Sequence, residues 1–326
     1  MGGHRRNLLT LAAGIGFLLA AATPGLAQAW LPPKGEAWIT LDYSNLFINR
    51  HYWSDGSSYS AGEISSNTYL AILGYSITDR LGVAVALPYA DAKYSGVNPH
   101  LFPVDDGERH GTFTDFQIEA RYNVVARSAA LTPFVAAILP SHRYEYFGHA
   151  VVGMDLKQLV IGTGFGFRFD SFLPKAYVVG RCSYAFVERV DDVWHDRGNL
   201  ALQLGYNLTP ALQVYAFGTG QYTFGGVPQD LAAIRTTWSA TTLHHHAQTG
   251  KSELIGVGGG AEYQLTGTIS VGASYLTTVW GRSDHAVRSL VNVGITFGFS
   301  PRQVIRKMGG RPAPEPPPLP QPPPGL

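Results

Sequence analysis

The chain of 326 residues is short of much that a soluble domain relies on. A single cysteine, Cys182, excludes an internal disulfide and any metal site built on several thiolates. Charged residues make up only 14%, against roughly 25% in ordinary soluble domains. Lys and Arg total 24 against 23 Asp and Glu, a net charge of +1, which excludes the basic signature of a nucleic-acid binder. Beyond residue 29 no apolar run approaches the roughly 20 residues of a membrane-spanning helix. Apolar residues nevertheless reach 45%, with 38 glycines, 17 tyrosines and 16 phenylalanines. Strands that are apolar on one face and small or polar on the other supply that combination without long apolar runs.

The clearest such strand is 291–299. Val291, Val293, Ile295, Phe297 and Phe299 share one face; Asn292, Gly294, Thr296 and Gly298 share the other. Lipid outside and a polar lumen inside is the environment this alternation fits. The amino-terminal residues read separately. His4, Arg5 and Arg6 precede an apolar run over 8–22, and Ala27-Gln28-Ala29 is a small-x-small cleavage site, with Gly25-Leu26-Ala27 as a second option. Residues 1–29 are thus an export signal, and with no Cys beside the cut a lipoprotein anchor is not expected.

Strands are expected over 35–50, 63–76, 81–93, 110–125, 131–146, 154–169, 175–190, 198–208, 211–225, 251–265, 268–281 and 286–299. Short Asp-, Pro- and Gly-bearing turns alternate with longer loops near 51–62, 94–109, 147–153, 191–197, 226–250 and 282–285. The sequence predicts an all-β fold: a transmembrane antiparallel up-and-down β-barrel of about twelve strands in the bacterial outer membrane, with turns in the periplasm. A soluble sandwich is the alternative, but its strands average about 5–6 residues. The barrel occupies 30–300. Residues 301–326 form a basic, proline-rich periplasmic tail, with Arg302, Arg306, Lys307 and Arg311 before a disordered, extended polyproline stretch.

Period two assigns facing. Leu200, Leu202, Leu204, Tyr206 and Leu208 face lipid, leaving Asn199, Gln203, Gly205 and Asn207 to the lumen. Phe116, Ile118, Ala120 and Tyr122 face lipid, so Asp115, Gln117, Glu119, Arg121 and Asn123 line the interior. Arg181 and Arg189 share a face with Ser183. A charge on the lipid side near the midplane costs about 2–4 kcal/mol, which places these charges inside. Asp115, Gln117, Glu119, Arg121 and Arg181 are therefore the candidate solute channel, since opposed charges inside a pore orient a passing solute.

His51, His100, His110, His142, His149, His195, His244, His245, His246 and His285 all fall in or beside the long loops. The triplet His244, His245 and His246 is the strongest local candidate for a metal-binding rim, although consecutive residues do not all face one ion. Ser141-His142, with Asp191-Asp192 near His195, holds hydrolase residue types without a nucleophile motif. Gly162-Thr163-Gly164-Phe165-Gly166 and Gly258-Gly259-Gly260 precede no helix pattern, so they read as small lumen-facing residues and not as phosphate loops.

Several stretches together resemble the outer-membrane barrel family assigned to the MetA pathway of phenol degradation. They are 114–122 (Thr-Asp-Phe-Gln-Ile-Glu-Ala-Arg-Tyr), Thr132-Pro133-Phe134 with Leu139-Pro140-Ser141-His142, 148–153 (Gly-His-Ala-Val-Val-Gly), 184–188 (Tyr-Ala-Phe-Val-Glu) and 202–206 (Leu-Gln-Leu-Gly-Tyr). The chain departs from that pattern at Thr114, where a Gly often precedes the Asp, and in its proline-rich tail. The resemblance implies a protein that helps small, often aromatic, compounds enter the cell. The function expected is an outer-membrane channel or uptake protein for passive passage of small organic solutes, without enzyme activity, cofactor or nucleic acid. Its partners are outer-membrane lipid and the solute, with peptidoglycan or a periplasmic protein on the tail. The alternative is a structural or interaction barrel that transports nothing.

Overall fold

The computed structural model describes residues 29–60, 62–96, 104–228, 230, 244–302 and 304. Twelve long strands run β1 Ala37–Tyr52, β2 Glu63–Ser76, β3 Leu81–Ser95, β4 Asp115–Tyr122, β5 Ala129–Pro140, β6 Gln158–Arg168, β7 Ala176–Val187, β8 Arg197–Asn207, β9 Leu212–Thr223, β10 Glu253–Thr266, β11 Ile269–Arg282 and β12 His285–Phe299. Each pairs antiparallel with the next, and β12 returns to β1 in a register running from Ala37↔Phe299 to His51↔His285. The sheet is therefore a closed twelve-strand barrel without free edges. Three short strands, Ser58–Tyr59, His110–Phe113 and Val125–Ala126, extend its rims. Among the described residues no helix is long and apolar enough to cross a membrane.

The alternation sorts as period two requires. Leu200, Leu202, Leu204, Tyr206 and Leu208 are exposed on the outer surface, as are Ile118 and Tyr122. Val291 and Val293 are exposed too, whereas Asn292 between them is buried and donates to Ser44 Oγ at 2.9 Å inside the barrel. Cys182 lies exposed on the outer face. Two facing expectations change at strand ends. Asn207 closes β8 exposed at a turn, with its amide on Lys175 O at 3.1 Å. Arg189 lies beyond the end of β7, exposed in the following connection, so it shares no strand face with Arg181.

Most boundaries fall within a few residues of expectation. The expected strand 110–125 is broken at Thr114, opposite Pro88 in β3. Pro88 has no N–H for the ladder, and Thr114 N donates to Pro88 O at 3.0 Å across the irregularity. The larger difference is at 131–146 and 154–169. These strands stop at Pro140 and start at Gln158, leaving 141–157 as one long connection and not a brief loop over 147–153. Positive φ at Gly148 (147°) and Asp155 (52°) takes the backbone out of the extended region there. After Phe299, Pro301 opens a helical turn, with Val304 N donating to Ser300 O at 3.1 Å. The proposed signal up to residue 28, residue 303 and the remainder of the tail from 305 lie outside the described residues.

Candidate functional site in the barrel lumen

Four of the five expected channel residues meet on one wall. Glu119 on β4 is only 1% exposed. Its Oε1 lies 2.8 Å from Arg121 Nη2, and its Oε2 accepts from Arg181 Nη2 at 2.5 Å and from Gln117 Nε2 at 3.1 Å. One carboxylate thus stands between two guanidiniums. Arg181 comes from β7, and its guanidinium carbon lies over the Phe134 ring, 3.5 Å from the centroid. Glycine makes that reach possible: Gly162 on β6 is covered by Phe134, and a Cβ there would strike the ring. Nε and Nη1 of Arg121 are buried without a hydrogen-bond partner among the described residues. Asp115 stands apart, accepting from the Tyr144 hydroxyl of the 141–157 connection.

Polar groups continue around the lumen. Gln203 donates to Tyr177 OH at 3.0 Å, Tyr177 OH to Gln213 at 2.7 Å, and Gln213 to Glu262 at 2.7 Å, a chain crossing β7 to β10. Thr40 and Thr296 share a hydrogen bond of 2.9 Å at the β1–β12 seam, beside the buried carboxylate of Asp42. Of the glycine runs, Gly162, Gly164, Gly166, Gly258 and Gly260 fall on the lumen face as expected, whereas Gly259 is in phase with the exposed Val257 and Tyr263 on the outer face. Phe217 and Tyr215 lie over Gly258 and Gly260, and Tyr177 over Gly205.

Two insertions occupy the interior. At the short-turn end, Ala29 is fully buried against Ala130 and Val179. Its carbonyl accepts from Thr132 Oγ1 at 2.6 Å and Asn123 Nδ2 at 3.0 Å. Trp30 covers Gly166 and donates to Arg127 O at 2.9 Å. At the long-loop end, the 141–157 connection turns inward and crosses the barrel. Met154 and Leu156 pack on Phe134, Val160, Ala185 and Val187 of the near wall. Ala150, Val151 and Val152 pack on Leu46, Ile48, Leu254, Leu276 and Leu290 of the far wall. Asp105 anchors the crossing by accepting from His149 N at 2.8 Å and Ala150 N at 3.0 Å. Gln248, in the short helix His246–Thr249, donates to Met154 O at 2.9 Å. Sequence reasoning missed both insertions; 147–153 was expected as a brief outer loop, and nothing in its residues shows that the lumen wall is the partner of Ala150, Val151 and Val152.

The histidines divide differently from expectation. His244, His245 and His246 diverge: His245 bonds Gln248 at 2.8 Å, His244 faces Tyr146 and Phe147, and His246 is buried beside Phe147. His51, His149 and His285 instead converge beneath the inward connection, with His51 4.2 Å from His285 and 5.4 Å from His149 between ring centroids. Among the described residues no three His, Cys, Asp or Glu side chains are arranged to hold a metal ion. His100 lies outside the described residues. Ser141 Oγ and His142 Nδ1 are 2.9 Å apart, but that hydroxyl also donates to Phe113 O at 2.8 Å, and Asp191 sits near His245 at 3.9 Å.

No protein-family model matches the chain, and no curated protein matches it in sequence. Among solved structures it is similar to an outer-membrane channel from Pseudomonas putida F1, with a TM-score of 0.67 and 15% identity over 85% of this chain and 99% of that one. It is also similar to the β domain of the Bordetella autotransporter BrkA, with a TM-score of 0.49 and 15% identity over 82% of this chain and 100% of that one. The first likeness places the fold among bacterial outer-membrane β-barrels.

Proposed function

We propose that this outer-membrane barrel is a channel or uptake protein through which small organic solutes, aromatic and hydrophobic ones included, pass without chemical change. The observation that carries the reading is a charged, polar lumen wall enclosed by an apolar outer surface. Asp115, Gln117, Glu119, Arg121 and Arg181, on β4 and β7, are the groups assigned to the solute route, and twelve strands make a barrel narrower than the wide porins, which suits small solutes. The short-turn end faces the periplasm and the long loops face outward, as both termini of an even-stranded barrel require. The resemblance of 114–122 and 148–153 to the family of the MetA pathway of phenol degradation supports aromatic solutes. Planar-bilayer recordings and liposome swelling with small phenols and organic acids test it. Stepwise conductance and solute entry are expected; a sealed barrel in both assays overturns the reading.

The two insertions also favour a second reading, a structural barrel that presents its loops outward and binds peptidoglycan or a periplasmic protein through residues 301–326. Removing those residues separates the two. Lost envelope attachment with unchanged permeability supports the structural role, and unchanged attachment supports transport.

A further inference from the structure

We propose that the inward connection 141–157 is a pH-operated gate, seated across the lumen at neutral pH and released when the external medium turns acid. The inference deepens the channel reading and rests on it. The trigger is the buried cluster of His51 on β1, His149 on the connection and His285 on β12. His51 lies 4.2 Å from His285 and 5.4 Å from His149 between ring centroids, and His149 lies 6.3 Å from His285. His149 ties the connection to the wall, stacked on Tyr94 of β3 at 4.6 Å.

Two carboxylates serve three imidazoles. Asp105 stands 3.1 Å from His149 Nδ1, and Asp284 stands 3.3 Å from His285 Nδ1, both carboxylates being buried. Asp284 is shared, because it also accepts from Ser252 Oγ and faces the buried guanidinium of Arg197 on β8. Asp115, the other carboxylate toward Arg197, is held by the Tyr144 hydroxyl. Lys251 and Glu253 at the head of β10 pair with each other at 2.9 Å. Both ring nitrogens of His51 are buried without a hydrogen-bond partner among the described residues, and the ring stacks on the phenol of Tyr59, 5.4 Å away. A proton on His51 therefore meets no carboxylate, out of water and in ring contact with two imidazoles that charge in the same mildly acid range. Unseating the connection carries His149 into water and opens the other two rings to it. The released state binds more protons than the seated one, so falling pH favours release and rising pH favours closure. The apolar part of the seat, Ala150, Val151 and Val152 against residues such as Leu46 and Leu290, carries no charge and recloses the gate.

The test is single-channel recording of the full barrel in planar bilayers at about pH 7.5 and about pH 5, for the parent and for His51→Phe, which keeps a ring against Tyr59 and takes no proton. The parent should conduct several-fold more at the lower pH. His51→Phe should conduct at both values as the parent does at the higher one, and His51→Gln, a second variant in case the first does not fold, should do the same. Protease cleavage within 141–157 of barrels in lipid vesicles, scaled to cleavage of an unfolded substrate at each pH, should rise on acidification in the parent alone. A parent whose conductance and cleavage ignore pH, or a variant that responds as the parent does, overturns the proposal. A barrel that conducts at neither pH while cleavage still rises in the parent alone supports the release and overturns the channel reading instead.

Discussion

Glu119 shows how much one side chain decides in a lumen. With Arg121 at 2.8 Å and Arg181 at 2.5 Å, its carboxylate separates two cations that otherwise confront each other out of water. Removing one partner from a buried ionic group costs about 3–5 kcal/mol. Glu119→Gln should therefore lower resistance to urea unfolding by that order and shift the reversal potential of single channels toward anions. A variant as stable as the parent would show that the pair is solvated. The inward facing of Glu119 and Arg121 was legible because a charge on lipid is so costly. The approach of Arg181 was not, because β7 is three strands away and the reach depends on Gly162 yielding space to Phe134. His195 carries a pH dependence. It is fully buried between β7 and β8, with Nδ1 on Val193 O at 3.1 Å and Nε2 unpartnered among the described residues. Burial holds its pKa below the ordinary 6.5. The folded chain therefore binds fewer protons than the unfolded chain below that value, so the stability His195 contributes is present above it and is lost as pH falls. Protease cleavage within 188–196 should be faster at about pH 5 than at about pH 8, and His195→Gln should flatten the difference.

Strand lengths and faces were written in period two, and turns such as Thr266-Gly267 marked their ends. A loop over 147–153 was legible, but its extension to 141–157 and its inward path were not, because Ala150, Val151 and Val152 pack on the inward side chains of strands distant in sequence. Substituting 147–153 with an equally long Gly/Ser segment removes that packing and should raise single-channel conductance several-fold while the barrel still forms; unchanged conductance would mean the connection lies off the solute route. On the outer face, Val293 is 50% exposed near the middle of β12. Val293→Arg should cost about 2–4 kcal/mol in folding from urea into lipid vesicles, whereas Val304→Arg, beyond the last strand, should be nearly neutral.

The architecture of the whole molecule was the most legible layer, because alternation repeated around the barrel leaves no place except a closed sheet for so many half-apolar strands. Closure has a consequence for the order of assembly. The hydrogen bond between Thr40 and Thr296 joins residues 256 positions apart. Every other neighbouring pair of strands can form as soon as its second member arrives, but β1 waits for β12. A chain ending at residue 284 should bind membranes yet never acquire the heat-modifiable mobility of a closed barrel. Until that last strand is delivered, two unsatisfied edges stay open at once, each a template for pairing with a stranger. The polypeptide must therefore be chaperoned along nearly its full length, and its vulnerable lifetime ends with the capture of its final strand.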